Sequence, residues 1–221
     1  MRSINSLSYK LDDFRLERLL GGGAFADAYE VTHIKSGRVL ALKCIHKNRM
    51  SHESLKYAYN EKELLAKLQH PNLIKFYCCF QNKGYLFLIL ELCPNGTLRD
   101  LLKRPTQLPE SYIRLLVAEL VEVLGFLHDN CVIYRDLKPE NIGIDSEGHL
   151  KLLDLGLSKE ARRSNSICGS YHYLAPEMVS GGEHSFGLDW YMLGITIYEL
   201  VTGTTPFKGK TPSELLKRIS E

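Results

Sequence analysis

Tyr134-Arg135-Asp136-Leu137-Lys138-Pro139-Glu140-Asn141, with Asp154-Leu155-Gly156 beginning thirteen residues after Asn141, is the stretch that decides how this chain is read. It concentrates carboxylates, a carboxamide and a lysine in one short span. Transfer of a phosphoryl group asks little covalent chemistry of a protein, because positioning and charge neutralisation supply most of the rate. Asp136 can accept the proton of an attacking hydroxyl. Lys138, two residues on, can neutralise charge on a group in flight. Asn141 and Asp154 offer the hard oxygen ligands that Mg2+ prefers. The bland alternative is a solvated loop turning at Pro139, and the ordered set of matching parts elsewhere in the chain argues against it.

Composition is that of an ordinary soluble protein. The 221 residues are 44% apolar and 24% charged, with a net charge of +2, which implies no bulk attraction to nucleic acid or membrane. The six cysteines form no C-x-x-C pair and show no metal-ligand spacing, so they read as thiols in a reducing compartment. Residues 1–13 are polar and lack the apolar core of a signal peptide, and the longest strongly apolar run, 85–90, is too short to span a bilayer. A cytoplasmic protein is expected, with the nucleus as the alternative.

Strand signals dominate the first third: 14–20, 28–34 and 39–45, the last after the turn Lys35-Ser36-Gly37-Arg38. A helix is expected over 54–68, then strands over 73–81 and 85–90. Cys93-Pro94-Asn95-Gly96 breaks the pattern and reads as a hinge. Beyond it, Ile113, Leu116, Val117, Leu120, Leu124 and Leu127 recur at three- and four-residue spacing, and a second apolar helix is expected near 188–201. Strands first and helices later suit an α+β, two-lobed architecture, and clefts between lobes are preferred ligand sites.

The octapeptide and the Asp154 triplet resemble the catalytic and metal-binding segments of the eukaryotic protein kinases, H-R-D-L-x-x-x-N and D-F-G. Lys138 resembles the serine/threonine branch. Tyr134 in place of His, and Cys168-Gly169-Ser170 before Ala175-Pro176-Glu177, are similar to the cyclic-nucleotide-dependent and related AGC kinases. The resemblance runs over 14–221, with 1–13 as an extension, 14–92 as a small antiparallel β lobe with one main helix, 93–97 as hinge, and 98–221 as part of a mostly helical lobe. It implies Mg2+ and ATP as cofactors, Asp136, Lys138, Lys43 and Glu61 as the catalytic set, and Asn141 and Asp154 as metal ligands. Glu63 is the rival to Glu61 as partner of Lys43.

Leu20-Gly21-Gly22-Gly23-Ala24-Phe25-Ala26 resembles the phosphate-covering loop G-x-G-x-x-G, with Ala26 departing from the third glycine. Glycines there allow close backbone approach and positive φ. A dinucleotide-binding fold fits less well, because the next element reads as a strand. Asp27, Ala28, Ala41, Leu90, Glu91 and Cys93 complete the implied nucleotide pocket. Thr97 stands where relatives often carry a glutamate. Ser166 is the implied activating phosphosite, with Ser164 the weaker candidate and Arg135 the partner of its phosphate. Asp189 is expected to anchor the catalytic loop from beneath.

Ser170, Glu140 and Glu199 match substrate-positioning residues, and the two glutamates imply a basic-directed serine/threonine protein substrate. An upstream activating kinase is the other expected partner. The later helices and the arginine that pairs with Glu177 have no counterpart, so a fragment, a shortened gene product and a natural short form all stay open. The competing function is a non-catalytic scaffold of the same fold that binds nucleotide and partner proteins.

Overall fold

In the computed structural model the described residues are 9–221 except Thr106 and Ile167, with the side chain of Glu53 also excluded. Residues 1–8 of the expected extension lie outside them. The chain divides into two compact units. One holds the described residues through Gln69 together with Ile74–Leu92, and the other holds His70–Leu73 and Cys93–Glu221.

The first unit is a five-stranded sheet built from β1 (Phe14–Gly22), β2 (Ala26–His33), β3 (Val39–His46), β4 (Phe76–Gln81) and β5 (Tyr85–Leu90). Its order is β1-β2-β3-β5-β4, with every neighbouring pair antiparallel. Strand side chains alternate between faces. Leu40, Leu42 and Cys44 of β3 therefore join Phe87 and Ile89 of β5, with Phe14 and Val31, in one apolar cluster. Ala41 and Lys43 face the other way. The helix α1 (His52–Lys67) begins two residues before the expected start, because the Ser51 hydroxyl caps it by accepting a bond from the Ser54 N–H at 3.1 Å.

The strand expected from residue 73 starts instead at Phe76. Asn72 explains the delay. Its carbonyl accepts from the Leu152 N–H at 2.8 Å and its Nδ2 donates to the Leu150 carbonyl at 3.1 Å, so the chain here belongs to the second unit.

That second unit is mostly helical: α2 (Leu98–Leu102), α3 (Glu110–Asp129), α4 (Pro176–Val179), α5 (Gly187–Thr202) and α6 (Pro212–Ser220). Two small ribbons join β6 (Val132–Ile133) to β9 (Lys159–Glu160), and β7 (Ile142–Ile144) to β8 (Leu150–Leu152). The stripe on α3 is buried at Ile113, Leu116, Leu120, Val123, Leu124 and Leu127. Each such side chain is worth roughly 1.5–3 kcal/mol over exposure, which holds the helix firmly under the loop that follows it. α5 ends at Gly203, whose φ of 77° supplies the left-handed stop. The α+β class read from the strand and helix signals is the class observed. Among the described residues no helix is long and apolar enough to cross a membrane.

Candidate active site

In the first unit, Lys43 of β3 reaches Glu61 of α1, with Nζ donating to Oε1 at 2.6 Å. Glu61 is only 2% exposed, and that ammonium offsets part of the cost of burying its charge. Glu63, two residues further along α1, points to solvent. The glycine cluster closes the β1–β2 hairpin through a bond from the Gly23 N–H to the Ala26 carbonyl at 2.8 Å.

None of Gly21, Gly22 and Gly23 uses positive φ, contrary to expectation; the requirement at Gly22 is steric. A Cβ there would lie 2.8 Å from Oδ1 of Asp27. Asp27 in turn holds Nε2 of His46 at 2.7 Å through its other oxygen. Phe25 is about half exposed at the tip. Ala28 lies opposite Lys43, and Ala41 opposite Leu90, in the strand register. Glu91 follows with its N–H on the Lys75 carbonyl at 2.8 Å.

In the second unit, the Cys93 carbonyl accepts from the Gly96 N–H at 3.2 Å, and Gly96 takes a φ of 78° to turn the chain into α2. Thr97 caps that helix in a reciprocal box with Asp100. Its hydroxyl donates to Asp100 Oδ2 at 2.7 Å and accepts from the Asp100 N–H at 3.3 Å.

The catalytic-loop residues converge. Lys138 Nζ donates to Asp136 Oδ2 at 2.7 Å and to Ser170 Oγ at 2.9 Å. Asn141 Nδ2 donates to Asp136 Oδ2 at 2.8 Å and to its carbonyl at 2.9 Å. Burial raises the Asp136 pKa above the ordinary carboxylate value, against the opposing pull of Lys138 and Asn141. The Leu153 N–H bonds the Asn141 carbonyl at 2.9 Å, tying the residue before Asp154 to the loop. Asp154 Oδ1 accepts from the Gly156 N–H at 2.7 Å. Tyr134 is fully buried, and burial, then the charges of Asp136, Asp154 and Asp189, push its hydroxyl pKa well up.

Arg135 is the junction of this unit. It is 2% exposed and takes a φ of 71°, rare for a residue with a side chain. Its N–H donates to Asp189 Oδ1 at 2.8 Å, beside the Tyr134 N–H on Oδ2 at 2.9 Å and His128 Nε2 at 2.7 Å from that same oxygen. Its guanidinium gathers the activation segment: Leu157 carbonyl at 2.7 Å, Ser164 Oγ at 3.1 Å and Ser166 Oγ at 2.6 Å. Gly169, with φ of 98°, brings the backbone so close that a Cβ would sit 3.1 Å from the Arg135 carbonyl.

Glu140 and Glu199 are also brought together, but on a side chain of the chain itself. Arg99 of α2 donates from Nε to Glu140 Oε1 at 2.8 Å, from Nη1 to Glu199 Oε1 at 2.6 Å, and from Nη2 to Glu199 Oε2 at 3.2 Å and Tyr173 Oη at 2.7 Å. The Tyr173 hydroxyl also donates to Glu199 Oε2. Burial opposes the charge of Arg99, and its bonds to Glu199 and Glu140 more than offset it, so its pKa is raised. The guanidinium seated at these glutamates is thus the chain's own. Sequence reading passed over Arg99 and Tyr173. A lone arginine on a five-residue helix carries no signal until its partners 41 and 100 residues away are known.

As to metal, the described residues contain no group of three or more His, Cys, Asp or Glu able to hold an ion. Mg2+ is usually bound by one or two carboxylate-type ligands plus phosphates and water. Asn141 and Asp154 supply oxygens of that kind.

A unit of strands, and a second, helical unit that gathers Asp136, Lys138 and Asn141, set the class, and comparison with known proteins gives the family. Residues 14–221 match the protein kinase domain, and the chain belongs to that family. It is 38% identical over 213 residues to ribosomal protein S6 kinase alpha-1 of Homo sapiens, covering 93% of this chain and 29% of the relative. It is 37% identical to the cAMP-dependent protein kinase, catalytic subunit-like, of Caenorhabditis elegans (94% and 53%), and 35% identical to protein kinase 3 of Dictyostelium discoideum (99% and 25%). These relatives place the chain among AGC-type serine/threonine kinase domains, and it spans about a quarter to a half of their lengths.

Proposed function

We propose that the chain transfers the γ-phosphoryl group of Mg-ATP to a serine or threonine hydroxyl of a protein. The observation that carries this is the Asp136 carboxylate, held by Lys138 and Asn141 with Ser170 on the same ammonium. In this reading Asp136 orients the acceptor and takes its proton as the acceptor oxygen bonds to phosphorus and ADP departs. Lys138 steadies charge on the group in transfer. Lys43, kept in place by Glu61, holds the α- and β-phosphates. The residues Leu20 to Ala28, with Ala41, Leu90, Glu91 and Cys93, serve the nucleotide. Asn141 and Asp154 would hold Mg2+, which when bound neutralises phosphate charge.

The test compares wild type with Asp154→Ala in Mg-ATP-dependent phosphorylation of serine peptides. Loss of a metal clamp is worth several kcal/mol, so the variant should fall by more than about a hundredfold. Equal rates, or partner binding with no transfer by either protein, would favour the scaffold instead.

Phosphorylation of Ser166 is the proposed control. Its hydroxyl already touches Arg135, and Lys159 Nζ lies 3.2 Å from the neighbouring Ser164 Oγ. Ser164 is 4% exposed and paired through its backbone with His184, which leaves Ser166 the more reachable of the two. A phosphate there adds one to three charge-assisted bonds. Protein made with phosphoserine at position 166 should melt higher and turn over about tenfold faster than the unmodified form. An unchanged melt and rate would remove the switch.

A further inference from the structure

We propose that Arg99 is a built-in occupant of the Glu140–Glu199 pair, so that the chain selects acceptor segments with an uncharged residue where that pair faces the substrate. The proposal rests on the kinase reading above and specifies its substrate class. The pair lies beside the acceptor position by connectivity as well as by contact. Glu140 immediately precedes Asn141, which bonds Asp136, and Tyr173 follows three residues after Ser170, which shares the Lys138 ammonium with Asp136. A side chain flanking the acceptor serine would therefore meet these carboxylates.

A vacant pair of carboxylates would recognise a guanidinium, whose planar fork matches them geometrically. Here the fork is supplied from within. Both oxygens of Glu199 are engaged, by Nη1 on one side and by Nη2 and the Tyr173 hydroxyl on the other. Glu199 is 4% exposed, so no second cation can approach it while Arg99 stays. Two negative charges against one positive leave a single net charge, carried at the exposed carboxylate of Glu140. An incoming arginine must compete with a tethered one that loses no translational freedom on binding. The residual negative charge also gives an acidic side chain no advantage.

If the contact served only to fasten α2 to α5, removing Arg99 would weaken the fold without altering peptide choice. The experiment separates the two. Fluorescent serine peptides carrying a single arginine, walked through each position flanking the serine, are titrated into wild type and Arg99→Ala by anisotropy, each against its alanine counterpart. The same peptides are assayed with Mg-ATP. Wild type should show no arginine preference beyond about twofold at any position, whereas Arg99→Ala should gain about tenfold or more at one of them.

Should Arg99→Ala fail to give a cooperative melt, Arg99→Met keeps the stem volume, removes the charge, and should show the same gain. A tenfold arginine preference in wild type, no gain in a folded variant, or no peptide binding by either protein overturns the proposal. Selective binding as expected, without phosphate transfer by wild type, overturns the kinase reading and leaves the Arg99 assignment standing.

Discussion

Asp136→Asn is expected to cut phosphoryl transfer by about a hundred- to ten-thousand-fold while leaving the metal-free chain at least as stable as wild type. Asparagine retains an oxygen to accept from Asn141 Nδ2 and Lys138 Nζ, which now meet the carboxylate at 2.8 and 2.7 Å, so the loop keeps its shape. It has no basic lone pair for the acceptor's proton, which removes the chemistry. Stability follows from the raised pKa. Burial disfavours the charged carboxyl, with Lys138 and Asn141 offsetting it only in part. A carboxyl whose folded pKa lies above its unfolded one costs stability in its charged form, and that cost fades as pH falls through the folded pKa. Asparagine lacks the charge at every pH. Thermal melts in EDTA at neutral pH should therefore show no drop, while initial rates with Mg-ATP collapse. A variant that melts several degrees lower would point to a structural role for the charge, and one that keeps wild-type turnover would remove Asp136 as the base.

How far the sequence carried the reading depended on whether the cause was local. The apolar stripe of α3 and the strand at Tyr85–Leu90 were legible because periodicity and turn residues lie within the segment itself. The spacing of Asp136, Lys138 and Asn141 was legible for the same reason: these residues sit on one short loop. Leu73 was misread as strand because its fate is decided by Asn72 reaching a ribbon nearly eighty residues later, where Leu73 itself bridges Leu152.

Positive φ was expected in the glycine cluster, where glycine permits it, and falls instead at Arg135, where tertiary bonds impose it. Permission can be read from residue type, whereas imposition cannot. Arg99 is the clearest case. Glu140 and Glu199 were read by resemblance as binders of a substrate arginine, and the Arg99 that bonds both was invisible because nothing near position 99 marks it. A resemblance transfers a receptor more readily than it transfers what fills it.

Asp189→Ala is expected to cost about 3–5 kcal/mol, the largest single loss of stability among the site residues. Asp189 is fully buried, and both of its oxygens are used, by the N–H groups of Tyr134 and Arg135 and by His128 Nε2. Alanine leaves two buried backbone donors with no acceptor, each a penalty of about 1–3 kcal/mol. It also releases Arg135 from a left-handed conformation that costs about 1–2 kcal/mol and that nothing local favours. Relaxation there would move Asp136, the next residue, and the guanidinium that gathers Ser164 and Ser166. At roughly 2–4 °C per kcal/mol for a chain of this size, the melting midpoint should fall by about 10 °C. Activity per folded molecule should fall with it, although Asp189 touches no reactant.

Asp189→Asn separates the two effects. It restores one acceptor but turns an NH2 toward a backbone N–H, so it should lie between wild type and alanine in both readouts. A melt for Asp189→Ala within about 1 kcal/mol of wild type would mean that the catalytic loop is held by α3 and the β6–β9 ribbon rather than by this carboxylate.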